Sequence, residues 1–168
     1  MPASDRAEKI REAFLDALRS EGLSPEPLID VAASASGIVK ELFAALGQAG
    51  REVYLIRGVA LVNVHVRSEP PGWWNILKTV KRDLDLMAKE FALNCIYVLL
   101  VGRSDRHVAD GYIVTDFAKG PFTRPLKAEK TKYSINERQH LDKGALLLSV
   151  AKVAKVLAQY RAANADAP

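Results

Sequence analysis

The sequence predicts a single α+β domain built on a mixed sheet of about four or five strands flanked by helices, and three observations predict it. The apolar spacing changes from a helical to an alternating period just after Gly50. The most apolar short run, Cys95–Val101, reads as a central strand. Amphipathic helical stretches stand before, between and after the strand-like runs. At 168 residues and 49% apolar content the chain fills one sizeable core, with no comfortable room for a second. The expected organisation is an N-terminal helix over 1–22, a core over 24–161 and a frayed tail over 162–168.

Each element has its own local reason. Ser4 is placed to cap a helix over about 5–20, with Ile10, Phe14, Ala17 and Leu18 on one face and Gly22 as its stop. Ser24, Pro25 and Glu26 resemble a cap followed by a first-turn proline. They open an expected second helix through about 46, striped by Leu28, Val31, Ile38, Leu42 and Leu46. Strands are expected at Val53–Ile56 and Val59–Arg67 with a turn at Arg57 and Gly58. Val62, Val64 and Val66 give the second of these an apolar face, and Asn63, His65 and Arg67 a polar one.

Pro70, Pro71 and Gly72 break that strand, and Ile76, Leu77, Val80, Leu84, Met87 and Phe91 mark a helix over about 74–91. Cys95–Val101 and Gly111–Asp116 form an expected hairpin across a polar connection. A basic loop over about 117–130 leads to an extended piece near Lys132–Ile135. Asp142 is placed to cap a last helix over about 143–161, striped by Leu146, Leu147, Val150, Val153, Leu157 and Tyr160.

Cys95 is the single cysteine, so the chain builds no internal disulfide and no multi-cysteine metal site, and a reducing compartment is expected. The N-terminus carries no apolar core of the signal-peptide kind, and no run reaches membrane-spanning length. The expected setting is cytoplasmic, with no membrane partner. Residues 1–50 carry a net charge of −3 and residues 51–168 a net +7, so an anionic partner is sought in the second part.

A helix, paired strands, a strand ending Val64-His65-Val66-Arg67-Ser68, another helix and an apolar strand together resemble the core of the restriction-endonuclease-like superfamily, over about residues 26–102. In that superfamily the third core strand carries Asp/Glu-x-Lys, whose carboxylate holds magnesium and whose lysine helps position the attacking water. The matching positions here are His65 and Arg67, and the preceding acid of the motif is Glu52. His65 and Arg67 supply no carboxylate, and arginine stays protonated and cannot serve as a base. The resemblance therefore implies a fold more than a reaction. The succession Gly72-Trp73-Trp74-Asn75-Ile76, Tyr97–Val101, Gly111–Val114 and Lys132–Glu137 also looks like a bacterial family with no established activity.

Trp73 and Trp74, beside Lys78, Lys81 and Arg82, combine ring faces with phosphate-binding charge, although such a pair also commonly roofs a core. Lys119, Arg124, Lys127, Lys130 and Lys132, opposed within their stretch only by Glu129, form the densest positive segment. Arg103, Arg106 and His107 could add to its field. The histidines His65, His107 and His140 lack metal-ligand spacing, and no Walker loop, nucleophile elbow or dinucleotide fingerprint occurs. Neither catalytic residues nor cofactors are expected; a divalent-metal nuclease would need a carboxylate cluster. The leading expectation is a non-catalytic or catalytically degenerate domain binding DNA or RNA. Its expected contacts are Arg67, Trp74, Lys78, Lys81, Lys119, Arg124, Lys127, Lys130 and Lys132. The alternative is a protein-interaction module or homodimer using the apolar helices at either end, the N-terminal one above all.

Overall fold

The computed structural model describes residues 3–103, 109–117, 122, 126, 129–141 and 148–166. Helix α1 (Ala3–Ser20) opens the chain, followed by the two-residue strand β1 (Glu26–Pro27), α2 (Leu28–Ala33), α3 (Ile38–Leu46) and a 3-10 turn over Gly47–Glu52. Strands β2 (Val53–Ile56), β3 (Ala60–Arg67) and β4 (Trp73–Leu77) lead into α4 (Lys78–Glu90). Then come β5 (Cys95–Gly102), β6 (Ala109–Val114), β7 (Lys132–Asn136), the single turn α5 (Glu137–His140), β8 (Leu148–Ser149) and α6 (Val150–Asp166).

Six strands form one mixed sheet in the order β1-β2-β3-β5-β6-β8, while β4 and β7 make a separate antiparallel ribbon. The expectation of four or five strands undercounts because β1 and β8 are two residues long, too short for an alternating pattern. The β3–β5 pair is parallel, from Leu61 opposite Cys95 to Arg67 opposite Val101, and the other pairs in the sheet are antiparallel. A parallel pair needs a crossover, and the segment containing β4 and α4 supplies it. The run Cys95–Gly102 is buried throughout and sits inside the sheet, as its uniform apolarity predicts.

Both sheet faces are covered. On one, Ile10, Phe14, Leu15 and Leu18 of α1 and Val153, Ala154 and Leu157 of α6 meet Val62, Val64, Ile96, Val98 and Leu100. On the other, α2, α4 and the ribbon bring Leu28, Val31, Leu84, Met87, Trp74, Ile76 and Ile135 onto Leu61, Tyr97, Leu99 and Tyr112. The helices at the two ends of the chain thus bury their apolar stripes against this chain's own sheet. Among the described residues no helix is long and apolar enough to cross a membrane.

Four local expectations are corrected. The expected helix over 24–46 is instead β1, α2 and α3, interrupted at Gly37, whose φ of +68° a side chain would rarely adopt. Residues 74–77, expected as the start of a helix, belong to the strand Trp73–Leu77, because its alternate residues Trp74 and Ile76 face the core while Trp73, Asn75 and Leu77 face out. Ser4 lies inside α1, which begins at Ala3. The last helix starts at Val150, where the Lys152 amide donates to Ser149 Oγ at 3.2 Å in a capping bond, and it continues past residue 161. Asp142, Leu146 and Leu147 lie outside the described residues.

Candidate nucleic-acid interface and an adjoining polar pocket

The β4–β7 ribbon positions most of the described residues that the sequence singles out. Leu77 pairs with Lys132, and the Lys78 amide donates to the Thr131 carbonyl at 3.0 Å, so Lys78, Lys130 and Lys132 gather at one end of the ribbon. Lys78 Nζ stands 5.7 Å from the centre of the Tyr133 ring. Lys132 Nζ lies 3.7 Å from Glu129, a loose pair at a half-exposed site. Lys81 is held more firmly, 2.6 Å from Asp85 and 5.7 Å from the Phe117 ring centre. Arg67, at the end of β3, is exposed; it, Lys78 and Lys130 make no ion pair among the described residues. Lys119, Arg124 and Lys127, together with Arg106 and His107, lie outside the described residues.

The tryptophan assignment changes. Trp74 is 4% exposed and stands edge-on to Tyr112 with ring centres 6.2 Å apart, so its ring roofs the core and offers no stacking face. Trp73 is 49% exposed, and with Asn75 and Leu77 it forms the outer face of β4. Alternation along the strand separates the two rings, a signal hidden while the segment reads as helical.

Beside that face lies a pocket of about 140 Å³ lined by Ala49, Glu52, Asn63, His65, Asn75, Ile76, Leu77 and Val80. Asn63 and His65 come from the polar side of β3, and Glu52 from the 3-10 turn that precedes β2. Glu52 thus joins the β3 residues at one place despite being distant in sequence. Arg11 of α1 reaches Glu52 at 2.6 Å and meets Glu8 at 2.7 Å, so one guanidinium is shared by two carboxylates and offsets the charge of Glu52 in part. Asn63 Oδ1 and His65 Nε2 are buried and neither accept nor donate a hydrogen bond among the described residues. Burial first, then the Arg11 charge, depresses His65 to about 4, leaving its imidazole neutral near pH 7.

A larger cavity of about 400 Å³ opens near the start of β5, lined in part by Lys81, Asp85, Cys95, Tyr97 and Tyr133. Burial pushes the Cys95 thiol up to about 12, which makes it a poor nucleophile. Among the described residues no group of three or more His, Cys, Asp or Glu is arranged to hold a metal ion.

A second polar cluster was not singled out by sequence. Glu137 opens α5 and is fully buried. Its Oε1 accepts from the Gly72 amide at 3.2 Å and Arg103 Nη1 at 3.1 Å; its Oε2 accepts from Arg103 Nη2 and, at 2.5 Å, from the Tyr112 hydroxyl. Arg103 also reaches Asp110 at 3.1 Å, and the Glu137 amide donates to the Gly72 carbonyl at 2.9 Å. Gly72 has no space for a side chain, since a Cβ there would come within 2.1 Å of the Trp74 ring. Burial alone would raise the Glu137 carboxyl, but the bonds from Arg103, Tyr112 and Gly72 hold it below the usual carboxylate range. The cluster fastens the ribbon to the end of the β5–β6 pair. Compared with protein families, curated proteins and solved structures, the chain matches none.

Proposed function

We propose that the protein is a non-catalytic domain that holds the phosphate backbone of a nucleic acid against the β4–β7 ribbon. The observation that carries this reading is the convergence of Lys78, Lys130 and Lys132 at one end of a face that also exposes Trp73 and Leu77. Ammonium groups that are unpaired or loosely paired attract phosphates, and the half-exposed indole of Trp73, at the other end of the same strand, gives a base a surface to stack on. The basic residues Lys119, Arg124 and Lys127 in the segment before β7 add charge of the same sign. The non-catalytic part follows from the side chains at the positions that the restriction-endonuclease-like resemblance makes important. His65 and Arg67 provide no carboxylate, and Glu52, the remaining acid, is engaged by Arg11.

The test is fluorescence anisotropy with short single- and double-stranded DNA and RNA across a salt series, comparing the native chain with Lys78, Lys130 and Lys132 all changed to Ala. The native protein is expected to bind a single strand saturably. With three phosphate contacts removed, the slope of log K against log salt falls by about 2. No saturable binding at low salt, or an unchanged slope in the variant, overturns the reading.

A further inference from the structure

The pocket beside the ribbon contains more than a surface concavity requires. Asn63 is 1% exposed, and neither its Oδ1 nor His65 Nε2 has a hydrogen-bond partner. Buried polar atoms without partners are rare in folded proteins, because each forfeits its bonds to water and gains nothing in return. Three residues that carry such an atom, Glu52, Asn63 and His65, line the same small space, and among the described residues only Glu52 of the three has an ion-pair partner, Arg11 at 2.6 Å. The remaining walls of the space are mainly apolar, from Ile76, Leu77 and Val80. An apolar slot with a few convergent polar groups is the usual composition of a small-molecule site.

Size narrows the occupant. The volume of about 140 Å³ is close to the roughly 150 Å³ of an apolar cavity that accepts one benzene ring. Polarity narrows it further. Asn63 Oδ1 requires a donor, and His65 Nε2 requires a complementary group beside it. Pyrimidine bases carry donors and acceptors on adjacent ring positions. The position of the pocket supplies the route, because Asn75 and Leu77 belong both to its lining and to the outer face of β4, next in alternation to Trp73. Neither unpartnered atom touches solvent in this structure, so side chains of the lining have to shift before a ligand reaches them.

We propose that this pocket takes one unpaired pyrimidine base, which Asn63 and His65 recognise by hydrogen bonds. The base is delivered by a single strand whose phosphates lie on the ribbon, so the inference rests on the reading of the ribbon as a phosphate-binding face. Arg11, shared with Glu8, reduces the repulsion of such a strand by Glu52 at the mouth. A purine base, with its second fused ring, is larger than the single ring that this volume matches.

The experiment has two arms on the full-length protein. In the first, cytidine, uridine and adenosine are titrated while nuclear magnetic resonance follows the Asn63 side-chain amide and the His65 imidazole. A pyrimidine nucleoside is expected to shift both signals saturably and adenosine to leave them in place, with the response lost in Asn63→Leu. In the second, anisotropy compares a pyrimidine strand with an abasic strand of equal length, and the pyrimidine strand binds about tenfold tighter. Equal affinity for the two strands, with no shift from any nucleoside, overturns the base pocket and leaves the phosphate reading standing. Nucleoside shifts with no binding of either strand overturn delivery by a strand and the ribbon reading with it. The nucleoside titration of the native chain decides the matter even where Asn63→Leu fails to fold.

Discussion

Glu137 and Asn63 are both buried polar residues beside the same ribbon, yet their surroundings are opposite. Glu137 accepts from Arg103, Tyr112 and the Gly72 amide, so both carboxylate oxygens are occupied. Asn63 Oδ1 accepts nothing, and His65 Nε2 near it is equally alone. Burial of a polar group therefore does not by itself mark a binding site. The Glu137 carboxylate has both oxygens engaged and acts as a fastening, whereas the β3 pair has capacity that the fold leaves unused.

The largest effect is expected where the bonds are complete. Glu137→Ala leaves the Arg103 guanidinium, the Tyr112 hydroxyl and the Gly72 amide without their common acceptor, and such a break in a buried pair costs about 3–5 kcal/mol. Urea unfolding at pH 7 measures it. Because the folded carboxyl lies below its ordinary range, this stabilisation is full above the unfolded value and fades as the pH falls through the folded one. A loss below about 1 kcal/mol would mean that the cluster is incidental, and the contrast with Asn63 would collapse.

His65 supplies the next effect, with a different origin. Its value of about 4 against an ordinary 6.5 means that the unfolded chain takes up a proton that the folded chain refuses. Stability from the neutral imidazole is complete above pH 6.5 and is lost as the pH falls toward 4. At pH 4.5 the loss is on the order of 2 kcal/mol relative to pH 7. The charged groups close to the ring come from other elements: Arg11 from α1, which adds to the depression, and Glu52 from the turn before β2. Urea titrations at the two pH values should show the native chain losing more stability than His65→Phe by about this amount. Equal losses would place His65 in contact with water and remove one of the two atoms that define the pocket.

How much of this was legible in the sequence depends on the range of each signal. Alternation in Val62–Arg67 and uniform apolarity in Cys95–Val101 report burial directly, and both segments are strands. Trp73–Leu77 misled because Ile76 and Leu77, followed by Val80 and Leu84, also fit helical spacing. What makes the segment a strand is β7, more than fifty residues on in the sequence. The polar face of β3 was visible as Asn63, His65 and Arg67, but its partial burial was not, because the element above it is that same ribbon strand. Glu137 gave only the weak signal of an acid at the end of a strand. Its partners Gly72, Arg103 and Tyr112 lie in three separate segments, and no local pattern joins them.

The smallest expected effect discriminates best between the two clusters. Asn63→Leu replaces an acceptor that has no partner with an apolar side chain of similar size, in a pocket whose neighbours Ile76, Leu77 and Val80 are apolar. Removing a satisfied group is costly, but removing an unsatisfied one relieves a desolvation penalty that the native fold carries. The variant should therefore unfold within about 1 kcal/mol of the native chain, and on the stable side where the leucine packs well. If binding of a pyrimidine strand falls in that same variant, the residue is retained at a cost in stability for what it holds, the trade expected of a functional position. Clear destabilisation, by about 2 kcal/mol or more, would instead show that Asn63 has a bonding partner in solution, and the difference from Glu137 would then be one of degree.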